Sequence, residues 1–302
     1  MIFLILEKSL MESLFKLAVK FIAEHINEIQ CDSPKLLKKV AYVVSQCYGL
    51  IDCQKNINKA KVLSNQGFSV GLNLERIRIS DVSVLEECVN LCGLNLLEAD
   101  IHDILALGKC TNLRKLILRN EFHAVPHTVP TEPVFFNLFT DISALGNCVN
   151  IQHIDLSCTD VTDISVLRKC SNLRDLNLGF TVIRDISALE DCLNLKKLNL
   201  CYNKRITDIS ALRKCEILQT LIMDNTVQIE DISPLKGCTN LKTLDLFATK
   251  VADISALSHC TKLQFINLEH TQVADVSALQ KCINLEEAIF QGSFATNIPV
   301  LR

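Results

Sequence analysis

Three groups of residues in this 302-residue chain have the types and spacing that could do chemistry. Fifteen cysteines could hold a metal, pair as disulfides or carry redox reactions. An aspartate two residues ahead of a serine recurs in the phrase DISALRKC, Asp208 to Cys215, and in its copies, placing a carboxylate beside a hydroxyl. His123 and His127 stand four apart, which on a helix is metal-ligand spacing.

The spacing assigns the first two groups a structural role. Cys88, Cys110, Cys148, Cys170, Cys192, Cys215, Cys238, Cys260 and Cys282 are separated by 22 or 23 residues, with one interval of 38. Seven residues before each stands an aspartate, from Asp81 to Asp275, and three before each a leucine, from Leu85 to Leu279. One shared period in three columns is an internal repeat, and a period between 20 and 29 signals a solenoid. The cysteines are therefore expected to be buried, reduced fillers rather than disulfide partners. Pro126 separates the two histidines and no acid stands nearby, so no metal is expected there. The sequence contains no glycine-rich phosphate loop, CxxC pair or nucleophile elbow. The expectation is a protein that is not an enzyme and uses no cofactor.

Two kinds of element must position these columns. In LRDLNLGFTVI, residues 173 to 183, the leucines alternate as a half-buried strand requires, with Leu173, Leu176, Leu178 and Ile183 inward. The return half opens on the aspartate, whose carboxylate is expected to cap unpaired amides one turn ahead. Ile209, Leu212 and Cys215 then form an inward stripe on a short helix. A single unit of this size cannot bury enough apolar surface to offset its lost chain entropy, so the units must stack.

These columns resemble the leucine-rich repeat family, in the short 22-residue subclass of bacterial internalins and of the nuclear regulatory subunit of protein phosphatase 1. The resemblance spans residues 68–302, about ten repeats. It implies an α/β solenoid: a horseshoe with a concave parallel sheet and short convex helices. Two departures stand out. The asparagine usual after the strand is mostly threonine (Thr159, Thr181, Thr226, Thr249, Thr271), with Asn203 retained, and cysteine replaces a usual leucine. A threonine hydroxyl can still bond the turn backbone.

Residues 1–67 lack the period and read as a helical segment. MESLFKLAVKFIAEHINEI places Leu14, Leu17, Phe21, Ile22 and Ile26 on one face, Ser33 and Pro34 open a second helix, and a third is expected around Ile57 to Leu63. These helices are expected to cap the open end of the first repeat. The segment also resembles the F-box-like or elongin-type helices that dock a cullin ubiquitin-ligase adaptor; Ser13, Leu14 and Ile22 match that pattern, and Ala18 stands where it wants cysteine. An insertion near 121–138, with three of the six prolines, interrupts the period, and NIPVLR at 297–302 is a worn copy of the repeat phrase.

The formal net charge of −3 gives no support for nucleic-acid or membrane binding. IFLIL, residues 2–6, is too short for a signal core or a membrane span, so a cytoplasmic or nuclear monomer is expected.

Strand positions between and after the inward leucines should face the concave surface. They read Asp155, Asn177, Asn199, Ile222, Asp245 and Asn267 in one column and Phe180, Tyr202, Asn225 and His270 in another. Asp175, Asp224, Phe247, Phe265 and Glu269 lie beside them. Aromatic anchors among acids suit a protein partner with a basic segment. The other reading of the Asn/Asp column is a solvated strand face with local hydrogen bonds.

Overall fold

The computed structural model describes residues 53–296, apart from 77, 78, 80, 100 and 121–138. Ser13, Leu14 and Ile22, the adaptor-docking candidates, and the helices expected around them lie outside the described residues, as do the insertion and the worn copy at 297–302.

Every strand is three to five residues long, because only the x-Leu-x core of each repeat alternates. In chain order they are β1 (Val70–Asn73), β2 (Leu91–Asn95), β3 (Lys115–Ile117), β4 (His153–Asp155), β5 (Asp175–Asn177), β6 (Lys197–Asn199), β7 (Thr220–Ile222), β8 (Thr243–Asp245), β9 (Phe265–Asn267) and β10 (Glu287–Ile289). They form one parallel sheet whose spatial order is the sequence order. Register follows the period: Asp175 pairs with Lys197, Leu176 with Leu198 and Asn177 with Asn199. This is a leucine-rich-repeat solenoid, and coils one period apart are lateral neighbours.

The core is a single column under the sheet. Leu173, Leu178 and Ile183 are fully buried, as are Leu212 and Cys215. Ahead of β1, helix α1 (Cys53–Asn65) contributes Ile57 and Ala60 to the same core. The buried Ser64 hydroxyl accepts the Asn90 amide at 2.9 Å, tying α1 to the first coil. Among the described residues, no helix is long and apolar enough to cross a membrane.

The convex segments are 3-10 helices, such as Ser210–Lys214. A 3-10 helix has three residues per turn, so Ile209, Leu212 and Cys215, spaced three apart, stack on one line. The expected cap is corrected in one detail. The residue before each of these helices is Ile or Val, and the aspartate reaches the backbone from one position earlier. Asp208 Oδ1 accepts the Ser210 amide at 2.7 Å, two residues on rather than one turn ahead, and the Ser210 hydroxyl donates to Oδ2 at 3.0 Å. The tighter helix brings its first free amide closer. At Asp81, Asp141 and Asp275 these bonds, the backbone one first, hold the carboxyl below its ordinary value.

The thiols do more than fill space. Cys192 Sγ lies 3.6 Å from the carbonyl oxygen of Leu167, and Cys260 Sγ 3.6 Å from that of Leu235, each in the preceding coil. The same carbonyls accept the amides of Cys170 and Cys238 within their own coils. Each thiol thus donates its weak hydrogen bond to the helix end below it, where a leucine would offer only methyl groups. Burial, largest of the causes, pushes the Cys192, Cys238 and Cys260 thiols up to about 12.

The threonines that replace asparagine keep its role. Thr249 Oγ1 donates to the Leu246 carbonyl and Thr271 Oγ1 to that of Leu268, at 2.8 and 2.7 Å, and both threonines are buried. At the retained Asn203, Nδ2 reaches the carbonyls of Leu178 and Leu200. A second ladder went unread in the sequence. The asparagine two residues after the cysteine bonds the backbone of the previous coil, as Asn172 does to Val149 and Asn194 to Ser171. It recurs at Asn112, Asn150, Asn240 and Asn284, a column broken only by Ile217 and Lys262.

Candidate protein-binding surface

In each x-Leu-x strand the leucine points into the core and both neighbours point out. The outward face therefore has a first column, from Lys115 through His153, Asp175, Lys197, Thr220, Thr243 and Phe265 to Glu287. The Asp155 column lies two residues further along each strand. His153 was missed in the sequence reading, although the same alternation that selects Asp155 selects it. Its Nδ1 lies 2.5 Å from Asp175 Oδ2, joining β4 to β5. Lys115, His153, Asp175 and Lys197 line an open depression of about 330 Å³ across β3 to β7.

The Asn/Asp column is largely engaged in its own backbone. Asp155, Asn177, Asn199, Asp245 and Asn267 each accept, on Oδ1, the amide two residues ahead, at 2.9 to 3.1 Å. These turns end the strands, which is the local-hydrogen-bond reading of that column. Asn267 is also buried, so little of it is left to offer a partner. Ile222 has no side-chain acceptor. Next to it, Asp224 is bonded by its own amide and by Asn225 Nδ2. Burial raises the half-buried Asp224 carboxyl above its ordinary value, and the neighbouring charge of Asp245 adds to the rise.

Just past every strand except β3 the chain passes through the left-handed region. Phe180, Tyr202, Asn225 and His270 have φ of 55–58°, as do Cys158 and Ala248, and Gly292 closes the column at 71°. Asparagine and glycine adopt this conformation readily; for other residues it costs roughly 1–2 kcal/mol. Two aromatic rings occupy it side by side. Phe180 and Tyr202 stack with centroids 4.3 Å apart and planes 13° off parallel, an arrangement that returns about 0.5–1.5 kcal/mol. Tyr202 remains 39% exposed, so its outer face is free to meet a ligand. Further along, Phe247 meets the edge of His270 at 5.5 Å.

Charge divides along the sheet. Outward positions of β3 to β6 and the turns after them carry Lys115, Arg119 and Lys197 among the acids Asp155 and Asp175. From β7 to β10 they carry Asp224, Asp245, Glu269 and Glu287 with no lysine or arginine. Among the described residues, no group of three or more His, Cys, Asp or Glu is placed to hold a metal ion.

The sequence comparison agrees with the geometry. A model of leucine-rich repeats, two copies, matches residues 171–214 and 218–259. No curated protein matches the chain. Among solved structures, an internalin (InlF) of Listeria monocytogenes is 26% identical with a TM-score of 0.60, the match covering 85% of this chain and 82% of that one. Internalin C2 of the same organism is 23% identical, TM-score 0.51, over 77% of this chain and 90% of that one. A leucine-rich-repeat protein of Leptospira interrogans is 15% identical, TM-score 0.58, over 79% and 64%. The fold is thus a short-repeat, internalin-like leucine-rich-repeat solenoid, the architecture of protein-interaction modules.

Proposed function

We propose that this protein is a non-catalytic interaction module that grips a protein partner on the concave face, across the strands from β4 to β9. The observation that carries the reading is the Phe180–Tyr202 stack, held at two backbone positions that suit asparagine or glycine better and left open to solvent. Stacked, half-exposed aromatics flanked by half-buried polar groups have the composition of interface hot spots. Of the sequence candidates, Asp175, Phe180, Tyr202, Asp224, Asn225, Asp245, Phe247, Phe265, Glu269 and His270 present accessible groups. Asp155, Asn177, Asn199 and Asn267 serve chiefly to shape the turns, and Ile222 adds apolar area. The carboxylates of β7 to β10 favour a basic segment in the partner, by steering as much as by contact.

The test is affinity capture with the full chain, followed by binding measurements on the purified partner. Replacing Phe180 and Tyr202 together by alanine should weaken the complex by about 2 kcal/mol or more. A convex-face variant, Arg213→Glu, should leave it unchanged. The reverse pattern would move the interface to the convex side and end this reading.

A further inference from the structure

Resting on the concave-face reading, we propose that the β6–β8 part of this surface is a niche for one arginine side chain of the partner. Two walls and a floor define it. One wall is the outward face of Tyr202, backed by Phe180 in a stack 4.3 Å deep. The other is Phe247, whose ring is steadied by the edge of His270. Asp224 comes from the coil between them and Asp245 from the strand leading into Phe247, near enough for the Asp245 charge to raise the Asp224 carboxyl further.

The registry brings these groups together. Tyr202 donates its amide to the Asp224 carbonyl at 2.9 Å, and Asn225 donates to that of Phe247 at 2.8 Å, so the turns after β6, β7 and β8 are consecutive neighbours. Among the described residues neither Asp224 nor Asp245 forms an ion pair, and no lysine or arginine stands at the outward positions of β7 to β10. Each carboxylate accepts a hydrogen bond, Asp245 from the Phe247 amide and Asp224 from Asn225 Nδ2, but neither has a cation beside it, and a partner's cation would supply one.

Arginine fits this arrangement better than lysine. Its guanidinium is planar, stacks on an aromatic face and forks onto carboxylates, while an ammonium is a strongly hydrated point charge. Here a stacking surface and the carboxylates are adjacent, so one group can use both at once.

The experiment selects binders to the full chain from a random twelve-residue peptide library displayed on phage. Peptides that bind the parent chain and not its Tyr202→Ala variant are expected to share one arginine. In the synthetic peptide, changing it to lysine should weaken binding at least fivefold, and to citrulline at least tenfold. The double variant Asp224→Asn/Asp245→Asn should lose tenfold or more against the arginine peptide and almost nothing against the citrulline peptide. That coupling separates direct contact from loss of structure. Peptides that depend on Tyr202 but carry no arginine, or bind lysine equally well, overturn the niche and leave the concave-face reading standing. Selected peptides indifferent to Tyr202 and to both aspartates overturn the two together.

Discussion

The thiol of Cys192 points at the carbonyl oxygen of Leu167, 3.6 Å away and 25 residues earlier in the chain. This relation, repeated at Cys110, Cys148, Cys170, Cys238, Cys260 and Cys282, makes the cysteine column a seam between coils. Truncation of one thiol loses buried sulfur and a weak hydrogen bond together. Cys192→Ala should lower stability by about 1–2 kcal/mol, read as a shift in urea midpoint at unchanged slope. A midpoint equal to the parent's would mean that the seam contributes nothing.

Alkali should attack the same seam. The folded thiols are raised to about 11–12, above the value of a free cysteine in the unfolded chain. Their contribution is complete below pH of about 8.5; above it the unfolded chain ionises while the folded one stays neutral. Stability then falls with rising pH, until the folded thiols titrate in turn. Each thiol contributes a slope of up to about 1.4 kcal/mol per pH unit. Melting temperatures in reductant from pH 7 to 11 should drop steeply above pH 9, and a serine-substituted ladder should drop less.

Acid should loosen the opposite edge. Asp81, Asp141 and Asp275 have carboxyls held below their ordinary value by the serines two residues on. A depressed folded value gives stability that is present above about pH 4 and lost as pH falls through that folded value. Hydrogen exchange at the amides of Ser83, Ser143 and Ser277 should report it at neutral pH: Asp141→Ala should speed exchange at Ser143 and leave Ser83 protected. Equal rates in parent and variant would show the Ser143 bond to be idle.

Coil spacing can be tested at one glycine. A Cβ at Gly237 would overlap the Arg213 carbonyl oxygen of the preceding coil, and backbone gives way less than a side chain. Gly237→Ala is expected to cost about 1–3 kcal/mol in thermal or urea unfolding. Gly67, whose Cβ would meet nothing within 4 Å, is strained instead by its φ of 86°. Its alanine variant probes backbone conformation alone.

Much of the fold was legible because a repeat writes the same sentence many times. Leu212 and Cys215 could be placed inside from spacing, and the strands followed from x-Leu-x. The 3-10 form of the return segment was not legible, since a stripe of Ile209, Leu212 and Cys215 fits a short α-helix as well. The candidate surface was legible as columns but not as roles. Asn177 and Asn267 look like binding groups in a list of outward residues, yet their oxygens cap their own turns. His153 belongs to the surface in the same column as Asp175 and Phe265, and the spacing that selects those two selects it as well.

By itself the sequence determined the period, the inward and outward columns and the need for stacking, all of which follow from residue type and spacing along one coil. Tertiary structure alone decided which carbonyl each thiol meets, which rings stack, and which acids lack a cation. Those relations join residues 22 to 26 apart, or 41 for Cys148 and Leu107 across the insertion, and such contacts exist only once the coils lie on one another.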